Sequence, residues 1–338
     1  VNGRLGAASL TINRGGAFLF DNNGGTRSGD RLPDNSPVVL NSANGTFGGQ
    51  TQLRGLALRT DQNAGTNETI GSLVFGSGTN YLTGSAGGGT GAETSLVATT
   101  FERRNFATVN AMARSLGLTA DTTGRNNFRI GDATAQTAFM GTQMVGGGGA
   151  AATATISIVP WAIGENLTAD VAVTNMGNSL MTYVAGAGFR PLAFANEYAT
   201  YAAAGATGNA RESLTAALTG LAGKTVNSLV IHNNSTAASG FAVSGTGAGQ
   251  ALVNTSGAFL FTLNPAATAS TAHAVTLDGF GGGITVGSVA EYVFAVVNPS
   301  AAANTPTLTA TVASPLSTPA ALTKTGRGTL VLSSVNAA

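Results

Sequence analysis

The chain has 338 residues, of which 9% are charged and 43% hydrophobic, with 48 glycines, no cysteine and a formal net charge of +1. So balanced and sparse a set of charges excludes a highly charged disordered chain and gives no electrostatic reason to expect nucleic acid or an anionic membrane as partner. The missing cysteines exclude disulfides, thiolate metal sites and thiol nucleophiles, and no run reaches the ~18 apolar residues of a membrane helix.

With so few Lys and Glu, the surface has to be coated by Thr, Ser, Asn and Gly. These residues suit strands and tight turns better than helices. The first 105 residues read as short strand phrases between Gly and Asn turns: Ala8–Asn13, Gly16–Phe20, Ser36–Asn41 and Glu68–Phe75. In each, apolar residues stand two apart or in a brief run, which is strand periodicity. The spacing between phrases is often near 20 to 30 residues, as in solenoid coils. Asn at the turns is expected to form side-chain ladders from one coil to the next.

This region also holds the carboxylates nearest to a cluster: Asp30, Asp34 and Asp61, with Arg27, Arg31, Arg54 and Arg59. Coils of about 27 residues would set Arg31 and Arg59 on neighbouring turns. A polysaccharide-cleaving site needs such acids on one face, but a surface salt-bridge cluster explains them more simply. No catalytic residue is assigned.

Residues 106–223 depart from the pattern. They include the only Trp, Trp161, and the small-residue run from Gly146 to Ala152. An irregular lateral insertion is expected here. A short helix is expected within Ala195–Gly223, where Leu214, Leu218 and Leu221 follow Arg211-Glu212 at helical spacing. Trp161, Tyr183, Tyr198 and Tyr201 are candidate glycan contacts, provided that they converge on one exposed groove.

From residue 224 the strand phrases return. Lys224–Ile231 echoes Glu68–Phe75, and Gly257–Phe261 repeats Gly16–Phe20 without change. The two histidines, His232 and His273, sit among apolar or small residues and read as core-edge or solvated side chains. No ligand-spaced His, Asp or Glu set points to a metal. The runs Gly87–Gly89, Gly146–Gly149 and Gly281–Gly283 lack the Asp of calcium-binding β-rolls and the Lys of a phosphate loop. They read as loops or turns, and no cofactor is expected.

The phrase Leu322-Thr323-Lys324-Thr325-Gly326-Arg327-Gly328-Thr329-Leu330-Val331-Leu332-Ser333 closely resembles the autotransporter-associated β-strand repeat. The core of that repeat reads L-T-K-x-G-x-G-T-L-x-L-S. Ser9–Phe20 and Glu68–Thr83 are similar to phrases of the passenger-like proteins that carry it in Planctomycetes- and Verrucomicrobia-type bacteria. The resemblance implies a right-handed parallel β-helix, exported and displayed outside the cell; it does not imply a catalytic activity.

The expected architecture is therefore all-β, a parallel β-solenoid. Its turns occupy 1–105, irregular turns with the insertion occupy 106–223, and further turns occupy 224–338, ending in a cut-off repeat. The expected role is structural or adhesive, at the bacterial cell surface. Self-association or continuation is expected end to end through the terminal rungs, and surface glycans are a candidate partner. The alternative is a polysaccharide-binding or polysaccharide-cleaving β-helix.

Overall fold

A computed structural model of the chain describes residues 5–6, 8–22, 31–47, 50–60, 66–85, 93–118, 124–167, 177–267, 271–287, 289–298, 306–317 and 321–334. The described protein is all-β, built almost wholly of parallel sheets, with a single helix, Ala133–Gln143, among these residues. No helix there is long and apolar enough to cross a membrane. The chain divides into two compact units. Unit 1 comprises Val1–Met144, Trp161–Val173 and Met181–Pro191; unit 2 comprises Val145–Pro160, Thr174–Leu180 and Leu192–Ala338. The 106–223 segment, expected as irregular turns with a lateral insertion, supplies strands to both.

In unit 1 the chain visits three parallel sheets in a recurring order. The first sheet stacks Leu10–Ile12, Val38–Asn41, Leu73–Ser77 and Phe101–Arg103. The second begins Phe18–Asn22, Leu56–Thr60, Thr79–Ser85 and Thr108–Arg114, and the third stacks Thr66–Ile70, Glu93–Ala98 and Arg125–Ile130. Successive rounds fall in register, Leu10 beside Val38, Val38 beside Leu73 and Leu73 beside Phe101, at offsets of 28, 35 and 28 residues. The 35-residue round is wider than the 20 to 30 read from the phrases, because it carries an antiparallel hairpin, Thr46–Phe47 with Gln50–Arg54. Val38, Leu40, Leu73 and Phe75 are fully buried, so these positions, two apart on neighbouring strands, build an apolar column along the first sheet.

Unit 2 repeats the scheme. Asn209–Leu214, Ser228–Asn233, Ala258–Leu263, Glu291–Val296 and Ala321–Thr325 form one sheet, and Leu218–Leu221, Ser239–Gly247, Ala272–Phe280, Thr307–Val312 and Thr329–Leu332 a second. Lys224–Val226, Leu252–Asn254 and Ile284–Val286 form the third. Phe294 stacks on Phe259 at a centroid distance of 4.9 Å, so aromatic rings pile up along the column as well as aliphatic chains.

The two eight-residue phrases do the same structural job. Thr66–Ile70 turns at Gly71 into Leu73–Ser77, and Lys224–Val226 turns at Asn227 into Ser228–Asn233. In the phrase 322–333, Gly326 turns the corner between two strands at φ 78°, a conformation that glycine adopts without a Cβ penalty. A Cβ on Gly328 would stand 2.8 Å from the Leu308 carbonyl oxygen. The Asn ladders are present at three corners. Asn41 Nδ2 donates to Asn13 Oδ1 (3.2 Å), Asn227 Nδ2 to Asn209 Oδ1 (2.8 Å) and Asn264 Nδ2 to Asn234 Oδ1 (2.9 Å).

The helix expected within Ala195–Gly223 is absent. Leu214, Leu218 and Leu221 lie on two successive strands, Asn209–Leu214 and Leu218–Leu221. Their helical spacing arises because a short corner separates them. The helix forms instead at Ala133–Gln143, where the Asp132 carboxylate caps it by accepting from Ala135 N at 2.7 Å; such a cap satisfies an otherwise unpaired N–H. Its Phe139 packs edge-on against Phe101 and Trp161 and covers the core of unit 1 beside the fourth round.

Candidate functional site

The four aromatics expected to line an exposed groove do not form one. Trp161 and Tyr183 lie in unit 1, and Tyr198 and Tyr201 in unit 2; all four are buried. Trp161 stands 5.5 Å from Phe75 and 5.4 Å from the Arg103 guanidinium carbon. The Tyr183 hydroxyl accepts from Ile130 N at 2.7 Å, the Tyr198 hydroxyl accepts from Leu180 N at 3.0 Å, and the Tyr201 hydroxyl donates to the Ala222 carbonyl at 3.0 Å. Burial pushes all three phenols up to about 12. The physical reason is supply. With few large side chains available, the aromatics are spent on core volume and on satisfying buried backbone groups.

The early charges are likewise absorbed into the fold. Arg59 pairs with Asp21 across neighbouring rounds at 3.6 Å. The Arg31 guanidinium donates to Asn22 Oδ1 and to the Asp21 carbonyl, while Arg31 N and Leu32 N hold the buried Glu68 carboxylate. Arg54 is buried, 5.8 Å from the Tyr81 ring centroid, and Asp34 is exposed. Arg27, Asp30 and Asp61 lie outside the described residues, as does Gly87–Gly89. The buried His273 bonds Thr271 Oγ1 (2.7 Å) and Ser239 Oγ (3.2 Å), and burial lowers its pKa.

One polar patch in unit 2 is not consumed in this way. Along Asn209–Leu214, Ala210 and Leu214 point into the core, which places Arg211 and Ser213 on the opposite face. Arg211 pairs in register with Val230, and Ser213 with His232. The Arg211 guanidinium carbon lies 4.3 Å from the ring centroid of Phe194, which is 43% exposed.

Phe194 sits on a turn that is rigidly tied. Glu197 accepts Ala193 N at 2.7 Å and Ala152 N at 2.9 Å, and Glu197 N closes on the Ala193 carbonyl at 3.0 Å. Arg211 Nε is buried without an acceptor. Among the described residues Arg211 has no carboxylate partner. The neighbouring Glu212, in register with core residue Ile231, accepts Tyr201 N at 2.5 Å. Burial lowers the Arg211 pKa, an effect the Tyr198 phenol partly opposes.

His232 completes the patch, with Nδ1 2.8 Å from Thr262 Oγ1. Burial, reinforced by the Arg211 charge, pushes its pKa down to about 4. The folded protein therefore keeps His232 neutral where the unfolded chain, near pH 6.5, begins to take a proton. Above pH 6.5 its contribution to stability is fully present; as pH falls from 6.5 to about 4 it is lost, to a total of about 3 kcal/mol. Urea unfolding of the parent and of His232→Gln across that window is expected to show the parent losing stability relative to the variant. A pH-independent difference would contradict the assignment.

Sequence reading passed over this patch because Phe194 and Arg211 are 17 positions apart in an Ala-rich stretch and match no motif. The only signal was an Arg inside a strand that carries no compensating acid on the same face. Comparison with protein-family models, with curated proteins and with solved structures gives no match for this chain.

Proposed function

We propose that the chain is a non-catalytic structural or adhesive segment, each unit a closed, right-handed parallel β-solenoid displayed at the bacterial cell surface. The observation that carries this reading is the fixed order in which each unit revisits three parallel sheets, in register, with Asn ladders at the corners. Right-handed crossovers are the rule for such connections. The phrase from Leu322 to Ser333, which resembles the autotransporter-associated repeat, favours export and surface display. Carboxylates turned to structural use support a scaffold over an active site, because the buried Glu68 and Glu197 and the half-buried Glu212 all accept from backbone N–H groups of the chain itself.

The ends of the stacks favour end-to-end association. Among the described residues, Leu10–Ile12 and Phe18–Asn22 begin their sheets, and Ala321–Thr325 and Thr329–Leu332 end theirs. Leu322, Val331 and Leu332 are exposed on the last strands. Unpaired strand edges with apolar side chains take up further strands readily. Electron microscopy of the purified chain at rising concentration is expected to show end-to-end assemblies, and Leu322→Asp is expected to reduce them. Discrete particles at every concentration would contradict stacking. Protease added to intact producing cells is expected to cut the protein; complete protection would contradict display.

A further inference from the structure

We infer that the Phe194–Arg211 patch of unit 2 binds a carboxylated sugar, the carboxylate paired with the Arg211 guanidinium and the sugar's apolar face laid on the Phe194 ring. This rests on the adhesive reading and names the class of ligand.

Three observations carry the assignment. First, Arg211 is a half-buried cation with a buried, acceptorless Nε and no acidic partner among the described residues. Its neighbour Glu212 and nearby Glu197 are occupied by Tyr201 N and by Ala152 N and Ala193 N. Burying a guanidinium without a counter-charge is costly. The ring 4.3 Å away offsets only part of that cost, so an anion arriving from solvent finds a desolvated, unspent partner.

Second, Phe194 is an aromatic ring left 43% exposed on a turn held by three hydrogen bonds through Glu197. A rigid, exposed ring beside a cation is a prepared surface and needs little ordering on binding. Third, the carboxylates nearest the patch, Glu197 and Glu212, are engaged by backbone N–H groups, and the other neighbours are neutral. His232 is held neutral, the Tyr198 hydroxyl is bound to Leu180 N and paired with Ser179 Oγ, and Ser213 offers an exposed hydroxyl on the same face of the strand.

The planar guanidinium fork matches a carboxylate in two parallel hydrogen bonds. A single cation suits a singly charged sugar acid better than a phosphate dianion. The phenyl ring then distinguishes a pyranose from a bare ion.

The test uses the purified full chain and a trimer of galacturonic acid, followed by calorimetry or NMR titration, with the methyl-esterified trimer as the uncharged control. The acid trimer is expected to bind, and its methyl ester at least about tenfold more weakly. Arg211→Gln is expected to lose about tenfold or more, with Arg211→Lys intermediate, and Phe194→Ala to weaken binding several-fold. Each variant is checked for an unchanged melting temperature.

Equal binding of acid and ester, no saturation up to ~10 mM, or normal binding by a folded Arg211→Gln would overturn the inference. Competition by sodium sulfate as effective as the trimer itself would reduce the patch to a bare anion site and overturn the sugar assignment. Failure of the trimer to bind a chain that still assembles end to end removes this site alone. Conversion of the trimer to shorter products would instead overturn the non-catalytic reading.

Discussion

Replacing Phe294 by Ala is expected to lower the unfolding free energy of unit 2 by about 3–5 kcal/mol, the range for removing a fully buried aromatic ring. Phe294 is completely buried and stacks on Phe259 at 4.9 Å and on Tyr292 at 6.0 Å. Its register partners are Phe259 on one side and Lys324 on the other. Truncation therefore opens a cavity in the middle of a column, where in-register strands leave little freedom to collapse. Phe294→Leu keeps most of the volume and is expected to cost well under half as much. Chemical denaturation followed by the loss of β-sheet signal measures both. A loss below about 1 kcal/mol for Phe294→Ala would show that the column is not packed as described.

Glu68→Ala is expected to cost about 2–4 kcal/mol, the scale for breaking a buried, charge-assisted set of hydrogen bonds. Glu68 is fully buried; its Oε1 accepts Leu32 N at 2.7 Å, and its two oxygens accept Arg31 N at 3.1 and 3.0 Å. Alanine leaves both N–H groups without an acceptor, whereas Gln retains one oxygen and is expected to cost less. Burial, the largest influence, holds the Glu68 carboxyl above its ordinary range despite these donors. The folded protein then takes up a proton more readily than the unfolded chain. Stability of the parent relative to Glu68→Gln should accordingly rise as pH falls toward the ordinary carboxylate pKa and diminish as pH rises through the folded value. Thermal melts of both proteins between pH 3.5 and 7 read this directly; an unchanged difference would place Glu68 in water.

How much of this was legible in the sequence depended on what each residue had to do. Strand phrases were plain because a strand's side chains alternate, and the pair Glu68–Phe75 and Lys224–Ile231 turned out to be one strand–corner–strand unit used twice. Identity of wording did not fix position. Gly16 has an ordinary backbone, whereas the matching Gly257 sits at φ 70°. The spacing of Leu214, Leu218 and Leu221 misled because two strands around a tight corner bring leucines to intervals that a helix also produces. The real helix escaped notice since Ala133–Gln143 is Ala- and Thr-rich with no strong apolar stripe, and only the cap at Asp132 marked it. Trp161, Tyr183, Tyr198 and Tyr201 looked like surface aromatics only until the scarcity of other large residues made the core their place. The patch of Phe194 and Arg211 was invisible for a different reason: it exists only once a turn folds back onto the first strand of a sheet.

Because the chain has no cysteine, paired cysteines test the parallel, in-register rounds with nothing else to oxidise. Thr276 and Thr311 are register partners on adjacent strands, both half-buried, whereas Ala310 faces the core on the opposite side. Neighbouring parallel strands stand ~4.8 Å apart, within the Cα separation that a disulfide spans. Mild oxidation of the folded Thr276→Cys/Thr311→Cys protein is expected to close the bond rapidly and nearly completely, while Thr276→Cys/Ala310→Cys stays reduced. Equal oxidation of the two variants, or none in the first, would contradict the stacked rounds on which the proposed function rests.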